Sequence, residues 1–166
     1  MTHKIIVVGI GPGDPAYLLP KAQKIIENAR ILVGGRRALA DYSHSGAREC
    51  AIGADIPGVL AFIREALAED DVVVMVSGDP GYYSLLDALR RTFSIGQIEV
   101  IPGISSLQLA FARLALPWHN ARLLSFHGRE PLETELVRTE GAVLGMLTDG
   151  RNNSQTIAVR LLACGW

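Results

Sequence analysis

The sequence predicts an α/β protein whose strands form a mostly parallel sheet with helices on both faces. Three observations carry that expectation. Apolar, β-branched runs of strand length alternate with helix-period segments, the order that builds βαβ units with right-handed crossovers. Glycine- and proline-rich turns follow the apolar runs, and in open α/β sheets the carboxyl ends of strands are where ligands bind. Finally, 49% hydrophobic residues against 20% charged ones supply a core and exclude a disordered chain. At 166 residues the chain is one domain or two small ones. A chain of that size buries roughly 68–70% of its unfolded surface and needs no staples.

The elements follow in order. Residues 4–8 are apolar and β-branched and open the chain as a strand. Residues 17–29 place Leu18, Ala22, Ile25, Ile26 and Ala29 at helical spacing. Ile31-Leu32-Val33 is a short strand ended by Gly34-Gly35. Residues 56–68 form an amphipathic helix with Val59, Leu60, Ile63 and Leu67 on one face, stopping at Glu69-Asp70-Asp71. Val72-Val73-Val74-Met75-Val76 reads as a buried strand and residues 82–93 as the helix after it. Strand 98–101 and helix 105–116 come next. Pro117-Trp118-His119-Asn120 is the linker, because proline ends the helix and no periodic pattern crosses it. Beyond it lie strand 122–126, helix 132–138, strand 142–147 and helix 154–163, with Gly165 as a C-cap. The expected division is therefore an N-terminal α/β domain over 1–116 and the start of a smaller mixed α/β domain over 121–166. Two strands and two helices leave a sheet edge open, so the chain is expected to be truncated within that second domain.

Composition excludes several classes. A formal charge of −1 gives no electrostatic case for nucleic acid. Cys50 and Cys164 have neither metal spacing nor a disulfide pattern, so no metal is expected and a reducing compartment is. The chain enters a strand at once, without the apolar region of a signal peptide, and no apolar stretch approaches the roughly 20 residues that span a bilayer. The expectation is a cytoplasmic protein without membrane partners.

Four loops carry the chemistry. Gly9-Ile10-Gly11-Pro12-Gly13-Asp14 invites a dinucleotide reading, but Asp14 stands where the third glycine of G-x-G-x-x-G belongs. Pro12 removes a main-chain N–H, and the second strand ends in Gly34-Gly35-Arg36-Arg37 where an acidic ribose-binding residue is wanted. A plain tight βα turn remains open as a reading. In Ser77-Gly78-Asp79-Pro80-Gly81-Tyr82-Tyr83, glycine permits close approach and Asp79 either faces a ligand or caps the next helix. In Pro102-Gly103-Ile104-Ser105-Ser106, one serine can cap while its neighbour faces a pocket. Leu147-Thr148-Asp149-Gly150 completes the set.

Arginines cluster at the same strand ends. Arg36, Arg37, Arg129 and Arg151 all follow strands, and guanidinium forks suit a poly-acidic substrate; solvated surface positions are the alternative. Among the four histidines, His127 alone lies where a strand gives way to a loop, and it can shuttle a proton near neutral pH. No catalytic triad, Cys-His pair or H-E-x-x-H can be assembled.

In this order and spacing, the Gly9–Asp14, Gly78-Asp79-Pro80, Pro102–Ser106 and Leu147–Gly150 loops resemble the tetrapyrrole methylases of cobalamin and sirohaem biosynthesis. The 77–84, 124–129 and 148–153 segments look most like the C5-methylating branch acting on precorrins or cobalt-precorrins. The resemblance implies two α/β domains with S-adenosylmethionine in a cleft between them. It places Asp79, Tyr82, Ser105 and Ser106 on the methyl donor, with Gly78 allowing close approach. Leu147 and Thr148 are expected to border its adenine or ribose, and Pro12 to lie near donor and macrocycle. His127 and Asp14 are the candidates for a base. A homodimer is implied, as is a C15-methylating, decarboxylating activity on the same or a separate chain. Another acceptor within the family, or a nucleotide-binding module built on the first loop, are the rival expectations.

Overall fold

The computed structural model describes residues 3–166. Its strands are β1 (Ile5–Gly9), β2 (Ile31–Gly35), β3 (Arg48–Ile52), β4 (Val72–Val76), β5 (Ile98–Ile101), β6 (Arg122–Ser125) and β7 (Leu144–Leu147). The helices are α1 (Pro20–Glu27), α2 (Arg36–Tyr42), α3 (Ile56–Ala66), α4 (Leu86–Thr92), α5 (Ser106–Arg113), α6 (Glu133–Leu136) and α7 (Ser154–Ala163). The chain divides into two compact units after Ser105.

In the first unit five parallel strands form one sheet in the order β3-β2-β4-β1-β5. Strand alternation sorts the side chains. Ile5, Val7, Ile31, Val33, Val72, Val74 and Val76 face one way, onto Val59, Ile63 and Ala66 of α3 and Leu89 of α4. Val8, Leu32, Val73 and Met75 face the other, onto Ala22 and Ile26 of α1 and Ala38 and Leu39 of α2. Because both faces are covered, β4 is buried at every position, which is why it reads as an unbroken apolar run.

Three elements depart most from the sequence expectation. The α2 helix and β3 strand occupy 36–52, a stretch left without elements in the sequence reading. The β3 sequence Arg48-Glu49-Cys50-Ala51-Ile52 lies at the sheet edge and is mostly exposed, so it needs no apolar run. The α2 helix starts on two arginines after Gly35 with no side-chain cap, so no start signal marks it. The helix expected over 82–93 begins only at Leu86, after a turn in which the Ser84 hydroxyl donates to Pro80 O at 2.5 Å and accepts from Leu86 N–H.

The second unit holds β6 and β7 as a parallel pair. Leu124, Phe126, Leu136 and Ile157 form its core, with Leu144, Met146 and Leu161 packed against them. The sequence assigns α5 to the first domain and breaks the chain at Pro117, whereas the structure groups α5 with the second unit. The reason is Gly145 of β7: a Cβ there would lie 3.0 Å from the Phe111 ring of α5, so helix and strand pack closely. The α7 helix keeps its expected bounds. Asn153 caps its start by accepting from Gln155 and Thr156 N–H, and Gly165 at φ +89° ends it. There Gly165 N–H donates to Leu162 O and Trp166 N–H to Leu161 O, the paired bonds of a Schellman stop. The Trp166 indole N–H also donates to Leu136 O at 2.6 Å.

Candidate functional site

In the first unit, three glycine loops meet at the carboxyl ends of β1, β4 and β5. Gly11 and Gly78 exchange main-chain bonds: Gly78 N–H donates to Gly11 O at 2.8 Å and Gly11 N–H to Gly78 O at 3.4 Å. Both residues lie in the left-handed region, at φ +77° and +69°. A Cβ at Gly9 would sit 2.6 Å from Gly78 O, and one at Gly103 only 2.2 Å from the same oxygen. The loops therefore pack backbone against backbone.

Asp79 fastens this assembly. Its Oδ1 accepts from Gly81 N–H at 2.8 Å and its Oδ2 from Gly103 N–H at 3.0 Å, across 24 residues of sequence. It does not cap α4, which starts seven positions later at Leu86. Tyr82 follows at once, half-buried and edge-on to Tyr83 with ring centroids 4.6 Å apart. Tyr83 holds φ +52°, an uncommon conformation for a bulky side chain. Ser105 lies against Gly78, whose Cβ position is 3.4 Å from the Ser105 Cα. Pro12 is half-buried in the first loop, and Asp14 accepts from Ala16 N–H at 2.9 Å to cap the short 3₁₀ turn Pro15–Tyr17.

Arg36 and Arg37 form the first turn of α2, directly after β2. Cations at a helix N-terminus oppose the macrodipole by about 0.3–1 kcal/mol each, so helix stability does not explain them. The Arg37 guanidinium stands 3.5 Å from the Cβ position of Gly13 and pairs with Asp41 at 3.7 Å.

In the second unit the loops after β6 and β7 form their own cluster. Asp149 Oδ1 accepts from Asn152 N–H at 2.6 Å and Arg151 N–H at 2.9 Å, while Oδ2 accepts from Gly128 N–H at 3.1 Å. The Asn152 and Gly128 amides, with the nearby His127, hold this carboxyl below the usual carboxylate range. Asn152 Nδ2 donates to Phe126 O and His127 N–H to Ser125 Oγ, each at 3.2 Å. Leu147 is half-buried; Thr148, His127, Arg129 and Arg151 are exposed. The sequence reading placed these residues but missed the parts of Asp149, Asn152 and Ser125. The aspartate was signalled, since Asp-Gly two or three residues before main-chain donors is a turn signature.

The structure thus collects Pro12, Gly78, Asp79, Tyr82 and Ser105 at one end of the first sheet. It collects Leu147, Thr148, His127, Arg129 and Arg151 at the corresponding end of the β6–β7 pair, in the unit that also holds Ser106. Among the described residues no His/Cys/Asp/Glu group could hold a metal, and no helix is long and apolar enough to cross a membrane. The donor set of the first cluster is main-chain amides and carbonyls, serine hydroxyls and tyrosine faces around glycines that no side chain could replace. That set fits a ligand combining an adenine, a ribose and an amino-acid end, as S-adenosylmethionine does.

Known proteins share the sequence pattern and the fold of this chain. A cobalt-precorrin-7 C(5)-methyltransferase of Salmonella typhimurium is 35% identical over 161 residues, covering 97% of this chain and 79% of that protein. The crystal structure of a cobalamin-biosynthesis precorrin-6Y methylase from Archaeoglobus fulgidus superposes with a TM-score of 0.68 at 28% identity, over 90% of this chain and 74% of that one. A uroporphyrin-III C-methyl transferase from Thermus thermophilus, solved with S-adenyl homocysteine, gives a TM-score of 0.68 at 27% identity, over 98% and 73% of the two chains. The description that matches residues 4–164 is Tetrapyrrole (Corrin/Porphyrin) Methylases, and the chain belongs to that family.

Proposed function

We propose that the chain is an S-adenosylmethionine-dependent C-methyltransferase acting at C5 of a precorrin or cobalt-precorrin in cobalamin biosynthesis. The observation that carries the reading is the main-chain junction of Gly9, Gly78 and Gly103, tied by Asp79, at the ligand-binding end of a parallel sheet. The likeness to cobalt-precorrin-7 C(5)-methyltransferases supports the choice of acceptor. Pro12, Gly78, Asp79, Tyr82 and Ser105 are proposed to contact the donor, with Ser106, Leu147 and Thr148 as further contacts. Asp79 acts through the lone pairs its two loop bonds leave free.

When bound, S-adenosylmethionine supplies a methyl group activated by its sulfonium. The protein's task is then alignment, and well-oriented intramolecular reactions reach effective molarities of about 10⁵–10⁸ M. Arg36, Arg37, Arg129 and Arg151 are proposed to take the peripheral carboxylates of the macrocycle. His127 or Asp14 is proposed to receive the proton from C5; the existing cap bond of Asp14 favours His127. The proposal extends to a cytoplasmic homodimer working with a C15-methylating, decarboxylating activity on the same or a separate chain.

Calorimetry with S-adenosylhomocysteine against NAD and ATP, followed by methyl incorporation into precorrin and cobalt-precorrin acceptors, tests the reading. Selective affinity for S-adenosylhomocysteine and transfer to C5 are expected. Preference for NAD or ATP would overturn the donor, and transfer elsewhere on the ring would overturn the acceptor position.

A further inference from the structure

The segment Phe126-His127-Gly128 is exposed at His127 and Gly128, yet its main chain is fastened at three consecutive residues by three side chains. Asn152 Nδ2 donates to Phe126 O, His127 N–H donates to Ser125 Oγ, and Gly128 N–H donates to Asp149 Oδ2. Two of the three, Asp149 and Asn152, come from the loop after β7, and Asp149 also accepts the Arg151 and Asn152 amides that shape that loop. Ser125 is the one buried polar residue in the described core, at 1% exposure. Gly128 at φ +64° completes a turn that ordinary residues rarely adopt. A solvated connection needs none of this, because water satisfies exposed amides equally well. Fixing a loop in this way is what holds a functional side chain in one place.

From this we infer that Asp149 is a positioning residue for methyl transfer: it joins the loops after β6 and β7 so that the His127 imidazole and the Thr148 edge keep a fixed relation. Asn152 and Ser125 assist it. The inference rests on the methyltransferase reading above. Its chemistry is that of an anionic acceptor which must stay ionised, and the amides aimed at it keep it so. Asparagine at 149 retains one acceptor oxygen for the Arg151–Asn152 turn but loses the second, so it separates the turn from the tie between loops. Alanine removes both.

The experiment compares the wild-type chain with D149N, D149A and N152A. It measures kcat and KM for the corrinoid acceptor, S-adenosylhomocysteine affinity by calorimetry, and amide exchange at Gly128 by NMR. Misplacement of a catalytic group by about 1 Å can cost up to 100-fold, so kcat is expected to fall about 10- to 100-fold in D149A and less in D149N and N152A. Gly128 exchange is expected to rise in both Asp149 variants. A folded D149A or D149N whose Gly128 exchanges faster while kcat and KM stay at wild-type values overturns the inference and leaves Asp149 purely structural. If D149A does not fold, D149N, nearly isosteric, decides by the same criterion. Absence of transfer by the wild-type chain refutes the methyltransferase reading, and the positioning role falls with it.

Discussion

Gly103→Ala is the sharpest test of the loop junction in the first unit. The added methyl would sit 2.2 Å from Gly78 O and 2.8 Å from both Cα and carbonyl carbon of Gly9. An ordinary carbon–oxygen contact is about 3.3 Å or more, so one loop must retreat by about 1 Å. All three blocking atoms are main chain, so no side-chain rotation relieves the clash. Overpacking of this kind costs about 1–3 kcal/mol. The retreat also pulls Gly103 N–H from the Asp79 carboxylate, and hydrogen bonds to charged groups contribute about 1.5–3 kcal/mol. Together these reach about 2.5–6 kcal/mol, a large part of the 5–15 kcal/mol that is usual for a domain. Gly96→Ala is the matched control: its Cβ would meet nothing within 4 Å, and the stiffer unfolded chain should add about 0.4–1 kcal/mol. Urea unfolding followed by far-ultraviolet circular dichroism reads both, and calorimetry with S-adenosylhomocysteine reads the site. A G103A chain with the wild-type urea midpoint and wild-type affinity would refute the backbone junction.

Three further outcomes are expected. Ala115 ends α5 in the left-handed region at φ +52°, with Leu116 N–H on Phe111 O; the strain of about 1–2 kcal/mol less a chain-entropy loss of about 0.4–1 leaves A115G more stable by up to about 1.6 kcal/mol, read as a raised thermal midpoint. Phe126 is fully buried in the small core of the second unit, so F126A should cost about 3–5 kcal/mol, checked by denaturant titration of that unit. The Asp149 carboxyl titrates below its unfolded value, so its contribution is complete above the ordinary carboxyl range and disappears as pH falls through its folded-state value; D149N should flatten the acid limb of a stability–pH curve there, and an unchanged limb would count against the assigned bonds.

Legibility in the sequence followed burial. The β4 strand could be read because both of its faces need apolar side chains, and α7 because Asn153 and Gly165 mark its two ends in local chemistry. The β3 strand could not, since an edge strand with solvent on its outer side carries Arg48 and Glu49 without cost. Residues 82–85 were read into α4 because Leu85, Leu86 and Leu89 extend a helical spacing backwards, while Ser84 holds a turn instead. The loops at the strand ends of each unit were visible as clusters of turn residues. What joins them was not: the bonds from Asp79 to Gly103 and from Asp149 to Gly128 span 24 and 21 residues, and no local pattern encodes a partner at that distance.

The indole of Trp166, fastened to Leu136 O, has an optical consequence. Trp118 and Trp166 are the only tryptophans and both belong to the second unit, whereas Tyr17, Tyr42, Tyr82 and Tyr83, the only tyrosines, all belong to the first. Fluorescence excited selectively at the indoles therefore follows the melting of one unit, and tyrosine absorbance that of the other. The native chain carries separate reporters for its two halves, and their curves coincide only if the halves unfold as one.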